Sequence, residues 1–147
     1  MIRAQENPNG DYNRFLQIFE TVIHAPPQLF AKCSPMICLI KVETDETKNV
    51  IDIHLSDSAD SSLNSEFEKD KNRLDIRSLE NYFKRVYKNN PCQTFLIPLS
   101  YSMLQATCPD RSVDIATIYN YWKFEGSYLN KQAIILAPIY RQFTFNR

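Results

Sequence analysis

The chain has 147 residues, 44% hydrophobic and 12% aromatic, which suits one globular domain and excludes disordered or collagen-like classes. Lys plus Arg number 17 and so do Asp plus Glu, so the formal net charge is zero and no long-range field favours nucleic acid. The longest apolar runs reach about half a dozen residues against the ~20 a spanning helix needs, so no membrane span is expected.

Residues 1–10 read as a flexible N-terminus. The segment MIRAQENPNGDY has no apolar core and so is not an intact signal peptide, but Arg3-Ala4-Gln5-Glu6 fits the remnant of one; an ordinary frayed terminus is the other reading. Residues 11–147 read as a single α+β domain without repeats or linkers.

Asp11 is expected to cap a helix whose apolar positions are Tyr12, Phe15, Leu16, Phe19, Val22 and Ile23, and Pro26-Pro27 stops it. Gln28 to Pro35 follows as a connector. The central element is a hairpin from Met36 to Ser58. Met36, Cys38, Ile40 and Val42 share one face of its first strand, and Ile51, Ile53 and Leu55 share one face of the second, with Asp52, His54 and Ser56 turned to solvent. Its loop, DETKN, lacks glycine, so Asn49 is expected to supply the left-handed residue.

The polar run Asp57–Ser62 offers a helix cap, and Leu63–Asn72 reads as a short exposed helix or an ordered loop. Asp75 caps the clearest helix, Ile76–Tyr87, with Lys84, Arg85 and Lys88 at its negative end. Gln93–Met103 reads as a strand that Pro98 confines to an edge or a bulge. Ser112 or Asp114 opens a helix within Val113–Phe124, Gly126 stops it, and Gln132–Phe145 closes the sheet as a strand bent at Pro138. The expected fold is therefore α+β: an antiparallel sheet of about four strands built on the central hairpin and packed by two or three helices.

The order helix, hairpin, helix, strand, with VETDETKNVIDIHLSDSA at its centre, resembles the C-terminal domain of TonB-like periplasmic proteins over Pro27 to Tyr101. The similar features are the alternating Ile40 and Val42, the turn at Asp45, the Val50-Ile53-Leu55 strand, and the Phe95–Leu99 strand ending near a proline. The resemblance implies a non-enzymatic binding module facing the periplasm that recruits a protein partner at a sheet edge. It assigns no site residues.

Four cysteines, Cys33, Cys38, Cys92 and Cys108, lack metal-site spacing. They form one or two disulfides if the protein is exported and are buried small hydrophobes if it is cytoplasmic. His54 with Asp52 could form a general base and its orienting carboxylate, but the solvent face makes a surface pair the plainer reading. His24 with Cys33 and Cys38 matches no zinc pattern, and Glu66, Glu68, Asp57 and Asp60 read as solvated charge. Two glycines in the whole chain leave no phosphate-cradling loop.

No cofactor and no metal are expected. The C-terminal third is rich in aromatics, and Tyr119, Tyr121, Trp122, Tyr128 and Tyr140 are the candidate binding residues. Such residues pack a core or, where several are exposed together, receive a protein partner or a carbohydrate-like ligand. The functional expectation is a periplasmic or secreted interaction module without catalysis. The alternative is a small α+β hydrolase or transferase with a pocket assembled from dispersed polar residues, betrayed by a deep cleft joining His24 or His54 to an acidic residue, and the alternative location is cytoplasmic.

Overall fold

A computed structural model describes residues 9–31, 35–104 and 113–144. The expected α+β class holds, with helices packed on a sheet built around the hairpin. Strands β1 (Met36–Thr44) and β2 (Val50–Leu55) form the hairpin, and β3 (Thr94–Leu104) pairs antiparallel on the other side of β1. Beyond β3 lie β6 (Ile134–Ile135) and β7 (Ile139–Thr144), both parallel to it, so the sheet is mixed rather than wholly antiparallel.

Helices α1 (Gly10–Val22), α2 (Ser61–Asp70) and α3 (Ile76–Val86) cover one face of this sheet. The period of two explains why. Cys38, Ile40 and Val42 of β1 and Phe95, Ile97 and Leu99 of β3 all point into the helical side, where they meet Phe15, Phe19, Phe67 and Phe83. Each fully buried phenylalanine stabilises the fold by roughly 1.5–3 kcal/mol. Phe83 stacks on Phe95 with ring centroids 3.9 Å apart, fastening α3 to β3. Leu39 and Leu96, out of phase with these residues, form a smaller core on the opposite face with Phe124. That face is covered by α4 (Ile115–Tyr121) and the short hairpin β4 (Lys123–Phe124) and β5 (Ser127–Tyr128).

The helix caps follow the sequence in most places. Asp75 accepts from the Ser78 amide at 3.2 Å, and Asp114 from that of Thr117 at 2.7 Å. Asp60, from the expected polar run, caps α2 through the Ser62 amide. Asp11 does not cap α1. Asn9 holds the cap position, and Asp11 lies within the first turn, where it pairs with Arg85 of α3. Segment 61–70 is not an exposed helix, because Leu63 and Phe67 are fully buried on its inner side.

Pro98 sits in the middle of the sheet, not at an edge. Leu39 directs its N–H and C=O to Ser56, away from β3, so the facing pair Leu39–Pro98 is one without mutual hydrogen bonds. The nitrogen of Pro98 therefore points toward β6 and β7, into the break between Ile135 and Ile139. A proline is tolerated there because no ladder bond is lost. The closing strand breaks at that point too, around Pro138, as the sequence suggested.

Three further expectations are corrected. Ile51 is 65% exposed, because the register slips between Glu43 and Thr44 and leaves it unpaired, turned out of the core face. The left-handed residue of the hairpin loop is Lys48 (φ 67°), not Asn49. Asn49 instead bonds Asp45 through its amide and side chain, while the buried Lys48 reaches the carbonyls of Asn90 and Cys92. Gly126 does not stop α4; with φ 83° it follows Glu125 (φ 51°) as the two-residue turn of the β4–β5 hairpin.

Candidate functional site

Two places gather the residues singled out from the sequence. The first is a cleft of about 460 Å³ beside β2, bounded by α2 and the β4–β5 hairpin. His54 lies in its wall. The ring Nε2 is 2.8 Å from Asp52 Oδ1, and Nδ1 is 3.1 Å from Glu68 Oε1. Glu68 also meets Lys71 at 2.6 Å. Burial raises the Glu68 carboxyl, but hydrogen bonds from Lys71 and His54 outweigh it and hold the group below its ordinary value. Asp57, across the cleft, accepts from the amides of Glu125 at 3.0 Å and Gly126 at 2.8 Å, tethering the small hairpin.

The side-chain pair Asp52–His54 is thus real, and each residue is half-buried rather than fully solvated. Ser56 is not on a solvent face. It is buried, its hydroxyl accepting from the Leu39 amide at 2.9 Å. Sequence reasoning set Glu68 aside as solvated charge, because it stands 14 residues from His54 on another element and leaves no local signature of the contact. Glu68, Asp57 and Asp60 are all engaged, not idle solvated charge.

The other histidine gives no comparable site. His24 is exposed and borders a hollow of about 190 Å³ with Glu20, Tyr101 and Arg141. Cys38 is a fully buried free thiol, its pKa pushed far up by that burial, so it supplies no zinc ligand there. Cys92 is also free; Cys33 and Cys108 lie outside the described residues. Among the described residues no group of three or more His, Cys, Asp and Glu is placed to hold a metal, and no helix is long and apolar enough to cross a membrane.

The second place is the outward side of α4. Ile115, Ile118, Tyr119 and Trp122 fall at i, i+3, i+4 and i+7, one stripe of a helix, and are 69, 55, 61 and 42% exposed. Of the five candidate aromatics, Tyr119, Trp122, Tyr128 and Tyr140 are exposed, whereas Tyr121 packs against the smaller core, its hydroxyl pKa raised by burial. Trp122 meets Tyr121 edge-on at 5.3 Å, and Lys123 lies 4.8 Å from the Tyr128 ring. Tyr140 stands on β7, its hydroxyl 3.2 Å from that of Ser102. Ile115 and Ile118 carry a helical signal in the sequence, but periodicity alone cannot say whether such a stripe faces inward.

On β2 the Val50 amide donates to Glu80 at 2.8 Å, the Ile53 amide to Asp52 at 3.0 Å, and the Ile53 carbonyl accepts from Lys71 at 3.2 Å. Side chains thus occupy the groups an added strand would need. No family model, curated protein or solved structure matches the chain.

Proposed function

We propose that this protein is an interaction module without catalytic chemistry of its own, which docks another polypeptide on the outward face of α4. The observation that carries the reading is the exposed stripe of Ile115, Ile118, Tyr119 and Trp122. Single exposed apolar residues are ordinary, but a full helical stripe left open marks a contact surface. Tryptophan and tyrosine are also the side chains that most often dominate binding energy. The capped edge of β2 argues against strand addition on that side. An exported location belongs to the same proposal, supported by the resemblance of the sequence from Pro27 to Tyr101 to TonB-like domains.

Photo-crosslinking in the source cells tests it. A crosslinker at position 119 should capture a discrete polypeptide that one at Gln17, exposed on α1, does not. Ile118→Asp should abolish the product while leaving the fold intact. Identical products from both positions, or none from either, would sink the reading, and cell fractionation checks the compartment.

A second reading has one observation behind it: the cleft does join a histidine to acidic residues. A small hydrolase or transferase would place its substrate there. Both ring nitrogens of His54 face carboxylates, however, an arrangement that fixes the ring more than it frees a base. Loss of a measured hydrolytic activity in a folded His54→Gln variant would favour this alternative.

A further inference from the structure

His54 stands on the outermost strand β2, and its two ring nitrogens contact carboxylates from two different elements. Asp52 belongs to its own strand and Glu68 to α2. A neutral imidazole has one N–H and one lone pair, so it can donate to only one of them; at the other, lone pair would face carboxylate oxygen. Donation to both needs both nitrogens protonated.

The contacts form a closed ring. Glu68 reaches Lys71 at 2.6 Å, and Lys71 returns to β2 at the Ile53 carbonyl, 3.2 Å away. The charged groups around the imidazole are few and mostly committed. On β1 its cross-strand neighbour Lys41 pairs with Glu43 at 3.4 Å and lies 4.5 Å from the Phe124 ring. Asp57, on the loop after β2, is held by backbone amides, and Glu125 stands on the small hairpin at the far wall. Glu68, held below its ordinary value, stays an ionised acceptor across the neutral range.

We infer that His54 is a proton-operated clamp: doubly protonated, it fastens the C-terminal turn of α2 to the edge of β2, and loss of the Nδ1 proton releases Glu68 and widens the cleft. Nδ1 is the nitrogen that gives up its proton because its contact is the longer one, 3.1 against 2.8 Å, and bridges separate elements. Leu63 and Phe67 keep α2 in the core, so the release is local. The device stands independently of what binds to α4.

Nitrogen-detected NMR on the full chain tests the inference. The chain has two histidines, and His24→Asn leaves one ring to follow. With rising pH the His54 ring should pass from two N–H groups to one on Nε2. The amides of Glu66 to Lys71 should shift with the same midpoint, and their hydrogen exchange, corrected for its intrinsic pH dependence, should quicken about fivefold, the worth of a largely exposed ion pair. In Glu68→Ala the ring should still titrate while those amides no longer follow it. Amides that ignore the ring in the native chain, that follow it equally in Glu68→Ala, or a neutral ring keeping its proton on Nδ1 would each overturn the clamp. Should Glu68→Ala unfold, His54→Gln decides between the same outcomes, since its α2 exchange must then be fast at every pH.

Discussion

The ammonium of Lys48 lies 2.7 Å from the carbonyl oxygen of Cys92, 44 residues along the chain, and equally close to that of Asn90. Lys48 is 3% exposed and left-handed. Its backbone conformation turns the side chain inward, so that one residue closes the β1–β2 loop and ties down the segment after α3.

Replacing Lys48 therefore separates two effects. Lys48→Ala should destabilise by about 2 kcal/mol or more, since hydrogen bonds from a charged group are lost. Lys48→Gly loses the same bonds but relieves the left-handed backbone, so it should be more stable than Lys48→Ala by about 1 kcal/mol, the reverse of the usual order. Urea unfolding measures both.

Pro98 gives a contrast within one strand. Pro98→Ala should cost less than about 1 kcal/mol, because the nitrogen it restores faces the break between β6 and β7. Ile97→Pro should cost about 3 kcal/mol or more, since Ile97 faces Ile40 in a pair that exchanges ladder bonds, and its fully buried side chain would be lost as well. Equal effects at the two positions would contradict the assigned alternation.

The β4–β5 turn carries an improvable residue. Glu125 adopts φ 51° before Gly126 at φ 83°, the pair of angles that asparagine and glycine fill most readily. Glu125→Asn should raise stability by a few tenths to about 1 kcal/mol, whereas Gly126→Val should lower it by about 1–2 kcal/mol. Thermal melts resolve both signs.

Stability should fall at both ends of the pH scale. Glu43, hydrogen-bonded by Lys131 at 2.8 Å, has its pKa lowered in the fold from 4.5, chiefly by that bond. Its contribution is present above pH 4.5 and is lost as pH falls through the lower folded value. Lys131→Met should flatten this acid limb. At the other end, burial, with help from Tyr87, pushes Tyr82 up to about 12 from 10.0, and burial likewise raises Tyr12 and Tyr101. These phenols favour the fold while neutral, so their contribution is full below pH 10 and fades as pH rises through the folded values. Chemical-denaturation midpoints across pH report both limbs.

Trp122, the only tryptophan, reports on the α4 face directly. Its emission in the folded chain should be accessible to iodide, and it should shift to the blue and lose that access when a partner covers the helix. Unquenched emission in the free protein would mean the face is already covered.

Much of the framework was legible from local pattern. The alternation in Met36–Val42, the helical spacing of Tyr12–Ile23 and Ile76–Val86, and the caps Asp75 and Asp114 depend on neighbours a few residues apart, and the fold keeps them. Tertiary structure decided what no window contains. The bulge that turns Ile51 outward follows from the register of the hairpin, and the central place of Pro98 and the parallel course of β7 from pairing between distant strands. The partners of Lys48 and the Glu68 contact of His54 were set by residues 14 to 44 positions away. For α4, periodicity showed that Ile115, Ile118, Tyr119 and Trp122 share a side; only the packing of Tyr121 onto the second core settled that this side faces water. A repeat in the sequence fixes which side chains stand together, while their burial depends on whatever surface the rest of the chain brings against them.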